Sequence, residues 1–193
     1  TIPIKNYSFK KRDNLSPKIL WVRAFAEIYN PILALQVLQQ LLASYPNAEL
    51  SMVGPFRDDS IETCKVYAKK HTLPVTFTGG MPKEDWLQYA ENFDIFINTT
   101  NVDNTPVSVI EAMALGLPVV TTNVGGIPYL LEDNEDALLV PKNNAEAMLQ
   151  SIQYLLDHPS FVEKMTKQAR SKVERFDWEK VKYKWFQILS HDS

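Results

Sequence analysis

DIFINTTNVDNTPVSVIEAMALGLPVVTT, residues 94–122, sets two short apolar runs on either side of a segment with helical spacing. The runs DIFIN (94–98) and PVVTT (118–122) are continuous rather than alternating, the pattern of strands buried on both faces. Between them a helix is predicted over 106–115, with Thr105 as N-cap and Pro106 as the first helical residue. Strand, crossover helix and strand in succession predict a parallel, right-handed βαβ unit.

The same alternation extends in both directions. ILWV (19–22) is predicted as a buried strand, ELSMV (49–53), VTFT (75–78) and ALLV (137–140) as further strands, and helices are predicted over 31–45, 58–70, 82–92 and 127–132. From Asn144 onward the strands stop and three consecutive helices follow, with Asp177 as a plausible N-cap for the last. The fold class is α/β: a Rossmann-like doubly wound parallel sheet of about six strands, with C-terminal helices. The last helix carries Trp178, Tyr183, Trp185 and Phe186, more aromatic surface than one sheet face requires.

Composition narrows the function classes. The 193 residues suit one domain or two very small ones, and 45% hydrophobic residues supply a sizeable core. A formal net charge of −3 without a dense Lys/Arg run lacks the footprint of a protein that holds long nucleic acid. The single cysteine, Cys64, cannot form an intrachain disulfide, which makes a reducing, cytoplasmic setting the expectation. No apolar run is long enough to span a bilayer. There is no GxSxG elbow, GxxxxGK[ST] loop or GxGxxG fingerprint, and no Cys/His cluster with zinc spacing. His71, His158 and His191 fall near element ends in polar surroundings. The acidic stretch Glu132-Asp133-Asn134-Glu135-Asp136 lacks the order of a calcium loop and is expected to be a solvated loop.

In a doubly wound sheet, ligands bind beyond the carboxyl ends of the strands. Arg23 directly follows the first strand, and a charge at the end of a buried strand needs a partner. Asn30-Pro31 opens the next helix as Thr105-Pro106 opens another, and the N–H groups of Val107 and Ser108 would face outward, as phosphate binding requires. An isolated Asn-Pro or Thr-Pro start is ordinary punctuation, and Gly125-Gly126 suits a simple turn as well as a close approach to ligand. Their coincidence at one sheet edge favours a nucleotide or phosphorylated ligand.

At SVIEAMALGLPVVTTNVGGIPYLLED (108–133) the chain resembles the C-terminal domain of the retaining glycosyltransferases of family 4, which have the two-domain GT-B fold. Arg23, LSMVG (50–54), VTFTGGMPKEDWLQYAENFDIFINTT (75–100), ALLVPKNN (137–144) and FDW (176–178) follow in the family's order. The resemblance implies a donor-binding half that moves a sugar from a nucleoside diphosphate to a glycan or lipid-linked acceptor without a metal or other cofactor. It implies that Arg23 neutralises the donor diphosphate, that Gly54 lines the donor pocket and that Gly80 and Met81 face the base. Thr105, Pro106, Val107 and Ser108 then cover the sugar and distal phosphate. Asp103 and Glu111 match the family's Glu-x7-Glu motif, with Glu111 on the ribose hydroxyls. Two departures stand out: Asp103 is one methylene shorter than the family's first acid, and Asn30 replaces a lysine.

By the same resemblance, residues 1–18 are a linker from an absent N-terminal domain, 19–175 the nucleotide-sugar-binding domain and 176–193 a crossover helix. The implied partners are the nucleotide-sugar donor, that N-terminal domain and an acceptor that can lie at a membrane surface, but no nucleic acid. The implied location is cytoplasmic, including the inner face of a membrane. A non-catalytic nucleotide-sugar-binding module is the alternative, favoured by Asn30 and Asp103.

Overall fold

The computed structural model describes residues 2–190, without the side chains of residues 184, 185 and 188–190. Among them, six strands form one sheet: β1 (Lys18–Val22), β2 (Glu49–Val53), β3 (Val75–Gly79), β4 (Ile95–Asn98), β5 (Val119–Thr122) and β6 (Leu138–Val140). Their order is β3-β2-β1-β4-β5-β6 and every pairing is parallel. The chain therefore winds outward from β1 in one direction and from β4 in the other. The crevice between these two strands is the topological switch point, the usual ligand position of such sheets.

Helices α1 (Pro31–Leu41), α2 (Ser60–Lys70), α3 (Lys83–Tyr89), α4 (Val107–Ala114), α5 (Ile127–Leu130), α6 (Ala145–Asp157), α7 (Pro159–Val173) and α8 (Trp178–Ser190) complete the fold. Side chains of β1 alternate between two cores. Ile19 and Trp21 pack with α1, α2 and α6, while Leu20 packs with α3 and α4. Helix α7 serves both cores, with Val162 and Met165 in the first and Ala169 and Val173 in the second. The lone cysteine, Cys64, is buried in the first core.

Local chemistry accounts for the places where elements differ from expectation. Helix α1 stops at Leu41 rather than 45, because Pro46 disfavours helical geometry at Tyr45 and the chain closes there in a turn. Helix α4 begins at Val107, with Pro106 rather than Thr105 at the cap position; the Pro106 carbonyl accepts from Val109 and Ile110 N–H. Asn30 stands at the start of α1 in the left-handed region (φ 48°) and makes no side-chain cap. Its amide donates instead to Asn143 Oδ1 at 2.8 Å. The acidic loop is not wholly solvated. Asp136 is buried, accepts from Glu132 N–H at 2.9 Å and pairs with Lys172.

The start of the segment 2–17 lies along the second core, through Ile2, Ile4 and Tyr7, while Leu15 packs against the first. Ile2 and Tyr7 are buried, and the Arg12 guanidinium donates to the carbonyls of Phe93, Lys10 and Leu115. Ile2 exchanges backbone hydrogen bonds with Phe176 and Trp178 on either side of Asp177, whose carboxylate accepts from Glu179 N–H at 3.4 Å in the predicted cap position. The N-terminal segment thus meets the start of α8. Trp178, Tyr183 and Phe186 are exposed on α8, whereas the side chain of Trp185, like His191, lies outside the described residues. No helix among the described residues is long and apolar enough to cross a membrane.

Candidate functional site

The parallel ladders bring three chain segments to one edge. Beyond β1, Arg23 N–H donates to Val53 O at 3.0 Å, and beyond β2, Gly54 N–H donates to Gly79 O at 2.9 Å. Gly54 must be glycine. A Cβ there would sit 1.7 Å from the Arg23 carbonyl oxygen, at a φ of +156°. Arg23, Gly54 and the Gly80–Met81 segment therefore stand side by side, and Met81 packs partly against the second core.

Arg23 faces the switch point. Its side chain is 17% exposed, its guanidinium carbon lies 4.4 Å from the Tyr29 ring centre, and its Nη2 pairs with Asp103. Burial pulls the guanidinium below its ordinary pKa, opposed by Tyr29, and it stays cationic at neutral pH. Asp103 is fixed from behind. Gly126 N–H donates to its carbonyl at 2.7 Å, and side chains at Gly125 or Gly126 would meet the Asp103 or Asn104 carbonyl oxygen at 2.1 Å. The glycine pair admits the protein's own backbone and so sets the position of Asp103.

Glu111 lies in the second turn of α4, on the face shared with Val107 and Ser108 at i−4 and i−3. It is 5% exposed, so it is no ordinary surface acid. Tyr7 Oη donates to its Oε1 at 2.7 Å, and Lys83 Nζ approaches the same oxygen at 2.6 Å. Sequence reasoning missed both partners. Tyr7 is 104 positions away along the chain, and no local period links it to α4. Burial, the strongest influence, raises Tyr7 from the ordinary 10.0 to about 12. Burial works against the charge of Lys83, but its contacts with Glu111 and Tyr7 win and hold its pKa above the ordinary value.

The Tyr7 shift predicts an alkaline weakening. The unfolded phenol ionises near 10.0 and the folded one near 12, so the folded chain holds the extra proton between them. The stabilisation is complete below pH 10 and falls as pH rises toward 12. Relative to Tyr7→Phe, the parent chain is expected to lose on the order of 1 kcal/mol between pH 9 and pH 11, measured by urea unfolding at each pH.

Of the residues singled out from sequence, the structure gathers Arg23, Gly54, Gly80, Met81, Asp103 and Glu111 at this edge. Pro106, Val107 and Ser108 open α4 between the two acids. Ser108 Oγ is buried without a hydrogen-bond partner, while Thr105 is exposed. Asn30 is turned away. It lines a separate groove of about 480 Å³ with Glu27, Asp58 and Asp59, an acidic setting that suits no phosphate. Among the described residues, no group of three or more His, Cys, Asp or Glu side chains is arranged to hold a metal ion.

A doubly wound parallel sheet with an arginine, a helix start and a buried carboxylate at its switch point places the chain in the class of α/β domains whose ligand crevice lies beyond the carboxyl ends of the strands. Within that class the chain belongs to the glycosyl transferases group 1 family, whose model matches residues 4–172. It is 31% identical over 156 residues to an uncharacterized glycosyltransferase of Haemophilus influenzae, covering 80% of this chain and 44% of that relative. A sucrose-phosphate synthase structure from Thermosynechococcus elongatus is 25% identical, with a TM-score of 0.83 over 98% of this chain and 50% of that one. The Anabaena HepE structure in complex with UDP-glucose superposes with a TM-score of 0.84 at 18% identity, over 98% of this chain and 56% of that one. The chain thus spans less than half of that curated relative and about half of each structure. Its fold is that of the C-terminal domain of GT-B glycosyltransferases.

Proposed function

We propose that this chain is the donor-binding half of a retaining, metal-independent glycosyltransferase that transfers a sugar from a nucleoside diphosphate to a glycan or lipid-linked acceptor. The observation that carries the reading is the placement of Arg23 against Asp103, just before the α4 start, with Glu111 buried in the second turn of the same helix. A diphosphate placed between β1 and α4 meets a guanidinium and unpaired helix N–H groups, and its ribose meets a carboxylate. The UDP-glucose complex formed by HepE, a protein of the same fold, supports a nucleotide-sugar donor.

In this reading Arg23 and the α4 N–H groups stabilise the charge that develops on the leaving diphosphate. Asp103 accepts from a hydroxyl of the donor sugar once Arg23 turns to the phosphates. The acceptor comes from an N-terminal domain beyond this chain. Residues 1–18 lead from that domain and the aromatic face of α8 returns onto it; the meeting of Ile2 with the start of α8 supports that path. The isolated half binds donor weakly and turns nothing over, and the whole protein works in the cytoplasm or at the inner face of a membrane.

Calorimetry with UDP- and GDP-sugars on this chain tests the reading, with Glu111→Ala weakening binding at least about 10-fold. Wild-type affinity in that variant, or no binding at millimolar nucleotide, overturns it. A non-catalytic binding module is the second reading, favoured by the acidic setting of Asn30 and by the Asp103 side chain resting on Arg23. Turnover by the full-length protein, with and without Asp103→Ala, separates the two.

Because Asp103 occupies Arg23 in the absence of ligand, donor binding must exchange one anion for another. Asp103→Asn is therefore expected to tighten UDP binding about 5-fold, equivalent to ~1 kcal/mol, while lowering turnover of the full-length protein. Weaker UDP binding by this variant would show that Asp103 orients Arg23 rather than competing for it.

A further inference from the structure

Glu111 carries a hydrogen-bonding arrangement that goes beyond its assignment to the ribose. Both contacts fall on one oxygen: Tyr7 Oη at 2.7 Å and Lys83 Nζ at 2.6 Å from Oε1. A carboxylate oxygen has two lone-pair sites, so Oε1 is saturated by these two donors and Oε2 is the oxygen left to receive a ligand. We propose that Tyr7 and Lys83 are the positioning residues of Glu111, holding Oε1 so that both ribose hydroxyls are read by Oε2.

The two donors come from separate elements, and both are anchored. Tyr7 is 2% exposed, and Arg170 Nη1 donates to its carbonyl at 2.8 Å and to the Ala114 carbonyl at 2.6 Å. One guanidinium of α7 thus ties the backbone of Tyr7 to the end of the helix that carries Glu111. Lys83 is the first residue of α3, and its Nζ lies 5.6 Å from the Tyr7 ring centre. It supplies the counter-charge that a buried carboxylate needs. Both donors hold their protons across the neutral range, since burial pushes Tyr7 up to about 12 and the contacts of Lys83 keep it above its ordinary value. A carboxylate fixed in this way loses little side-chain freedom when a ligand arrives, which is how pre-organisation raises affinity.

The proposal rests on the nucleotide reading of the site, and the test keeps the two apart. The chain and its Glu111→Gln, Tyr7→Phe, Lys83→Gln and Lys83→Arg variants are titrated calorimetrically with UDP, GDP and their 2′,3′-dideoxy counterparts. Circular dichroism confirms the fold of each variant. Tyr7→Phe and Lys83→Gln are expected to weaken ribonucleotide binding about 3- to 10-fold and leave the dideoxy compounds unaffected, with Lys83→Arg recovering most of the loss. If Tyr7→Phe does not fold, the half-exposed Lys83 carries the test alone. Equal weakening of ribo and dideoxy nucleotides, or unchanged ribonucleotide binding while Glu111→Gln loses it, would overturn the proposal and leave the nucleotide reading intact. If Glu111→Gln binds ribonucleotides as the parent does, or if no nucleotide binds the parent, the nucleotide reading itself fails.

Discussion

Arg23→Ala is expected to weaken binding of a nucleoside diphosphate about 10- to 100-fold, the loss of one or two charge-assisted hydrogen bonds. In the full-length protein the loss of turnover is larger, about 100- to 1,000-fold, because leaving-group charge grows in the transition state. The arginine can bear this load because the fold delivers it dry and pointed. It follows a strand buried on both faces, its ring neighbour Tyr29 stands at 4.4 Å, and its side chain is only 17% exposed. Removing it also strips Asp103 of its partner, so stability is a necessary control. Thermal unfolding separates a lost ligand contact from a lost fold. Calorimetry that finds Arg23→Ala binding like the parent would remove the diphosphate from the switch point.

Gly54→Ala is expected to cost ~3 kcal/mol or more of folding stability, the second large effect. The added methyl would lie 1.7 Å from the Arg23 carbonyl oxygen and 3.1 Å from Ala24 N, so the backbone beyond β1 must move. Nucleotide affinity should fall with it, since that movement displaces Arg23. Gly80→Ala is the contrasting case. Its methyl meets Pro55 no closer than 3.7 Å, an ordinary contact, so the variant should fold normally and report on the base-facing role alone. Urea denaturation of the two variants beside the parent checks both statements. Equal stability of Gly54→Ala and the parent would mean that the β1 and β2 loops are not locked together as described.

The sheet was legible because its strands are short, continuous apolar runs, and all but the half-exposed edge strand β3 are largely buried. ELSMV became β2 without a change at either end, and the other runs matched within a residue. Helix starts were less legible. Thr105 lost the cap position to Pro106, whose carbonyl can open a helix without an N–H of its own. Asn30, chosen for its capping chemistry, bonds instead to Asn143, a partner set by the far edge of the sheet.

The candidate site divides in the same way. Arg23, Asp103 and Glu111 could be placed from strand ends and from the resemblance, because both depend on order along the chain. The pairing of Arg23 with Asp103 and the clasp of Tyr7 and Lys83 on Glu111 could not, because they join segments that meet only in the folded sheet. Asp136 was misplaced for the same reason: its acidic neighbours signal solvent, and only the arrival of Lys172 from α7 explains its burial.

The central claim is that a nucleoside diphosphate sits at the switch point between Arg23 and Glu111. Backbone amide NMR of the chain titrated with UDP and GDP tests it most directly. The account predicts shift changes concentrated at Arg23, Gly54, Met81 and Val107 to Glu111, with little change around Asn30, Asp58 and Asp59. Shifts centred on that acidic groove, or none at millimolar nucleotide, would contradict it.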